Sequence, residues 1–86
     1  MTVHEAFEAI VQNREEKALN YAVRYAEYGL TIPVHEKAKL RIQTLYVLGN
    51  ITRWRGPLAK EVMDTLKAFV KVPKAGTQPA LKSGRR

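Results

Sequence analysis

The chain has 86 residues, no cysteine and a formal net charge of +7. That length fits one small domain, and the missing cysteines exclude a disulfide framework and thiolate metal sites. No apolar run approaches the roughly 18 residues of a membrane span. MTVHEAFEAI carries glutamates and no basic leader, so a cytoplasmic protein is expected. The charge is uneven. Residues 1–31 carry −2, residues 32–72 carry +5 and residues 73–86 carry +4. Such asymmetry points to nucleic acid, an acidic protein face or an anionic surface as partner.

Thr2 followed by Glu5 reads as a capping box, and Val3, Phe7, Ile10 and Val11 then share one helical face. A break is expected near residue 13, with a second cap at Asn13 and Glu16 opening another helix. That second segment has a small-residue stripe of Leu19, Ala22, Val23 and Ala26, and a tyrosine stripe of Tyr21, Tyr25 and Tyr28. Gly29 stands where a glycine would end the helix.

The third segment, HEKAKLRIQTLYVLGNITRW, has two helical stripes. One is Ala38, Ile42, Leu45 and Gly49; the other is Leu40, Thr44, Val47, Ile51 and Trp54. Leu45-Tyr46-Val47-Leu48 is apolar all round, which predicts central burial. A hairpin turning at Gly49-Asn50 is the rival reading of residues 44–54, but the stripes reach back to Ala38 and favour a helix. Gly56-Pro57 then opens a fourth helix with Leu58, Val62, Leu66, Phe69 and Val70 on one face. Pro73 ends it, and the basic stretch KAGTQPALKSGRR reads as a disordered tail. The expected fold is all-α: a compact bundle of three to four helices over 1–72, with a flexible basic tail over 73–86.

Catalytic patterns are poor. His4 and His35 each precede a glutamate without completing a His-Glu-x-x-His zinc motif, and both read as solvated helix-end residues. Glu61 and Asp64 read as a solvated face, and no phosphate-binding glycine loop occurs. No enzyme, cofactor or metal is therefore expected.

Arg53-Trp54-Arg55 with Lys60 is the sharpest cluster. Two arginines before a helix N-terminus suit a phosphate or carboxylate, because free N–H groups and fork-like donors favour anions. Alternatively, Trp54 continues the Val47-Ile51 stripe into the core and the arginines merely flank it. Lys37 and Arg41 share a face at i, i+4 and extend the basic candidates. Tyr21, Tyr25 and Tyr28 are either interface anchors or the rim of the core. A helix-turn-helix around TRWRGPLAKEV would place few base-reading side chains in a groove, so phosphate contact is favoured over sequence readout.

LNYAVRYAEYGL and LYVLGNITRWRGPLAKEV resemble small helical proteins encoded by bacteriophages and prophages, over roughly residues 18–70. The resemblance implies life inside a bacterial host, and binding to one host macromolecule. The expected function is a non-catalytic interaction protein. It would be a phage modulator or inhibitor binding an acidic surface of a host protein or nucleoprotein complex. The alternative is a nucleic-acid binder holding generic DNA or RNA by its phosphates.

Overall fold

The computed structural model describes residues 1–71. The expected basic tail, 73–86, lies outside the described residues. Four helices form among the described residues: α1 (Val3–Gln12), α2 (Ala22–Leu30), α3 (Lys37–Gly49) and α4 (Pro57–Val70). A single 3-10 turn (Lys17–Leu19) precedes α2. No strand occurs among the described residues, so the hairpin reading of 44–54 falls away and the all-α bundle stands. Each helix packs on its chain neighbours, and α1 also meets α4, which closes the ring around one core.

Local chemistry sets the helix ends. Thr2 caps α1 in both directions: its hydroxyl accepts from the Glu5 N–H at 3.1 Å, and Glu5 accepts from the Thr2 N–H at 2.7 Å. Asn13 does not open a second helix as expected. Its side chain donates back to the Ala9 carbonyl at 2.8 Å and closes α1 instead. Local back-bonding of this kind is what Asn does well and a helix interior does not need. The chain then turns, and α2 begins only at Ala22. The α1–α2 connection is clamped by Arg14, which pairs with Glu27 at 2.7 Å.

Gly29 is a second departure. It lies inside α2, buried, rather than beyond its end. A Cβ built there would come within 2.5 Å of the Phe7 ring, so glycine is needed for the close approach of α1. Gly56 is needed for conformation. As the residue before α4 it holds φ +112°, which L side chains avoid, and Pro57 starts the helix behind it.

The core is built from Phe7 and Ile10 of α1, Ala22 and Ala26 of α2, Leu40 and Val47 of α3, and Val62 and Leu66 of α4. Ile51 and Trp54 join it, at 0% and 5% exposure. They do so from a turn rather than from α3, which stops at Gly49. The Trp54 N–H donates to the Ile51 carbonyl at 3.0 Å, and that turn swings the indole inward. His4 is not a solvated end residue: it is half-buried and donates to the Ile32 carbonyl at 2.9 Å, tying α1 to the loop after α2.

The largest departure concerns α3. Of the run Leu45–Leu48, expected to be centrally buried, Val47 is buried, but Leu45 and Tyr46 are each 54% exposed; Ile42, in the stripe of Leu45, is 56% exposed. The inward side of α3 instead holds Leu40 and Val47 beside two polar residues, Gln43 and Thr44. Both are satisfied. The Thr44 hydroxyl donates to the Leu40 carbonyl at 2.7 Å, and Gln43 donates to the Tyr25 carbonyl of α2 at 2.8 Å. Buried donors with partners cost little, which is why they are tolerated there.

Candidate functional site

The cations predicted from sequence sort into separate places on this scaffold. Arg55 and Lys60 face one shallow groove at the start of α4, beside Trp54 and Met63. Arg55 is engaged by its own backbone, donating to the Thr52 carbonyl at 2.8 Å and the Trp54 carbonyl at 3.3 Å. Lys60 pairs with Asp64 at 2.9 Å, one turn along α4. Both side chains therefore have local partners.

Arg53 turns to a different side. It lines a depression with Lys17, Tyr21, Gly49 and Asn50, between the 3-10 turn and the end of α3. The expected cluster of Arg53, Arg55 and Lys60 around one helix start does not assemble. The reason is the turn at residues 51–54: once Trp54 points inward, its two neighbours project to either side of it.

Lys37 and Arg41 do come together. They line a groove with Ala38 of α3 and with Ala68, Phe69 and Lys71 at the far end of α4. Three cations surround a small apolar floor, and among the described residues no carboxylate lines it. Neither Lys37, Arg41 nor Lys71 makes an ion pair among the described residues; Glu36 pairs with Lys39 instead, at 3.1 Å.

The first turn of α3 also runs against the helix dipole. It holds no acidic residue and has no side-chain cap at Glu36, while Lys37 sits at its first position. Positive charge at a helix N-terminus is unfavourable by a few tenths of a kcal/mol or more. Lys37 therefore adds positive potential to the positive end of α3, whereas Lys71 stands at the carbonyl end of α4, where a cation is favoured.

The tyrosines are more exposed than a core rim requires. Tyr21 is 77% exposed and Tyr28 61%, and Tyr25 is 39% exposed. Tyr21 and Tyr25 border a depression with Asn20 and Arg24. Tyr25 stacks on Tyr46 of α3, with ring centroids 5.6 Å apart and planes 19° from parallel. Tyr28 makes no aromatic pair among the described residues.

Sequence reasoning missed Phe69 as a groove floor, together with Arg24 and Lys17 beside the tyrosines. It also missed the outward apolar face of α3. The signal for that face was present as the second stripe, Ala38, Ile42, Leu45 and Gly49. A helix in a bundle this small cannot bury two opposite stripes.

No group of three or more metal-ligating side chains occurs among the described residues. No helix among them is long and apolar enough to cross a membrane. Comparison with known proteins finds no matching family model, curated protein or solved structure.

Proposed function

We propose that this is a non-catalytic interaction protein that docks an acidic surface of a partner protein into the groove between the start of α3 and the end of α4. The observation that carries this reading is the convergence of Lys37, Arg41 and Lys71 around Phe69 and Ala38, with no carboxylate in the lining among the described residues. The cations supply steering and charge-assisted hydrogen bonds, and the apolar floor takes a side chain between two acids. Phe69 packs on the core with part of its ring and leaves the rest to the groove; duplex phosphates would use the charge but not that apolar surface, which favours a protein partner over nucleic acid. The resemblance to phage and prophage proteins makes that partner a host protein or nucleoprotein complex, and the reading one of a modulator or inhibitor.

The test is a titration with two probes, an acidic peptide carrying one central aromatic or leucine and a generic DNA duplex. The wild type is expected to bind the peptide. Lys37→Ala with Arg41→Ala should weaken it about tenfold or more, since hydrogen bonds to charged groups contribute about 1.5–3 kcal/mol each. Phe69→Ser should weaken the peptide and leave any duplex binding unchanged. Duplex binding that falls steeply between about 50 and 200 mM salt, with no peptide binding, would replace this reading by the phosphate-binding one.

A further inference from the structure

We infer that the outward face of α3 is a self-association surface, on which two copies of this chain pair antiparallel. Ala38, Ile42, Leu45, Tyr46 and Gly49 fall within about 100° of arc on one helix. That arc faces solvent, and its three large members are each more than half exposed. Polar residues are buried on the other side, at Gln43 and Thr44. A solvent-facing helix surface normally has the reverse arrangement. Nothing in the packing of the described residues accounts for it.

Three features select a second copy as the occupant. The first is register. Ala38, Ile42, Leu45 and Gly49 are spaced symmetrically about the middle of α3, between Gln43 and Thr44. A two-fold axis there sets Ile42 of one copy against Leu45 of the other, and Ala38 against Gly49. Large residues meet at the centre and small ones at both ends, so the stripe is complementary to itself, as an isologous interface requires. Gly49 fits this arrangement. It lacks a positive φ, and a Cβ there would meet nothing within 4 Å, so its own fold does not require glycine. A partner helix approaching to about 8–10 Å gives the small residue a purpose.

The second feature is charge. Antiparallel pairing puts the cationic first turn of each α3, with Lys37 and Lys39, beside the carbonyl end of the other. Cations are favoured at that negative end of a helix and disfavoured at their own. A parallel pair would align the like-charged turns instead.

The third is area. Tyr25 stacks on Tyr46 along one flank and extends the face. With roughly 150–250 Å² for a whole aromatic side chain, these half-exposed residues offer on the order of 500 Å² per copy. About 1,000 Å² over two copies reaches the lower size of a specific interface. The groove of Lys37, Arg41 and Lys71 lies on the other flank of α3 and borders the pairing face at Ala38, which the two share.

The experiment is sedimentation of the full chain across about 1 µM to 1 mM, since an interface this small is expected to have a micromolar Kd. The wild type should pass from monomer to dimer in that range. Leu45→Glu and Ile42→Glu should each raise the dimer Kd at least tenfold, with helix content and Tm unchanged in dilute solution because both sites are exposed. Raising salt should strengthen the dimer, since each copy carries +7, whereas it weakens capture of an acidic peptide. The chain has no cysteine, so register can be read by oxidation. Ala38→Cys mixed with Gly49→Cys should cross-link between copies. Ala38→Cys alone should not, its two sulfurs being about 16 Å apart along the axis, beyond disulfide reach of about 7 Å. A wild type that stays monomeric throughout, charged variants that still dimerise, or Ala38→Cys copies that cross-link to themselves would each overturn the assignment.

Discussion

Helices α3 and α4 are nearly equal in length, yet they divide their residues in opposite ways. In α4 the buried residues are Ala59, Val62 and Leu66, while Lys60, Glu61, Asp64 and Lys67 are exposed. In α3 two polar side chains point inward and Ile42, Leu45 and Tyr46 point outward. One helix is written for the core of its own chain. The other is written for the core only in part, and its remaining apolar surface is left uncovered by the described residues. The difference teaches that apolar periodicity locates faces, while only the closed ring of helices decides which face is inside.

The largest test of that contrast is a matched pair of leucines. Leu66→Ala empties a fully buried site and should cost about 2–5 kcal/mol, a large part of a small domain's stability. Leu45→Ala removes an outward side chain and should stay within about 0.5 kcal/mol in dilute solution. Urea denaturation at low protein concentration measures both. Equal losses would mean that α3 buries its second stripe after all.

Next come the glycines. Gly29→Ala drives a methyl group into the buried Phe7 ring, which overpacking places at about 1–3 kcal/mol of destabilisation. Gly49→Ala meets open space, and the gain in helix propensity makes it neutral or stabilising by up to about 1 kcal/mol. Thermal melts of the two variants should shift in opposite directions, or Gly49 alone should show no shift. At high concentration Gly49→Ala should also loosen the pairing of α3 helices, which separates its two roles.

Much of the fold was legible in the chain itself. The capping box at Thr2 and the proline start of α4 rest on local chemistry, and local chemistry survives folding; Trp54 is inward as its stripe predicts, but from a turn and not from a continued helix. What was not legible depends on neighbours. Gly29 looks like a helix terminator until α1 presses Phe7 against it. Asn13 offers a cap to either side, and the carbonyl of Ala9 wins because it is already in place. The candidate site was half legible. Spacing alone joins Lys37 to Arg41, but Phe69 and Lys71 reach the same groove only because the end of α4 packs by the start of α3. Arg53 and Arg55 are adjacent to Trp54 in sequence and are separated by it in space.

The smallest effect is also the most discriminating between stability and function. Helix α1 begins with a complete cap and Glu5 in its first turn, whereas α3 begins with no side-chain cap and with Lys37. If α3 were tuned for stability alone, its first position would be acidic. Lys37→Glu places a carboxylate at the positive end of the helix dipole, and that carboxylate also stands four residues before Arg41. Both changes stabilise, together by roughly 0.3–1 kcal/mol at low salt. The same substitution removes one groove cation and engages a second, so binding of an acidic peptide should fall at least tenfold. A variant that is slightly more stable and binds less is the signature of a charge retained for a partner. A variant that is less stable would place Lys37 in the service of the fold and leave the groove to Arg41, Lys71 and Phe69.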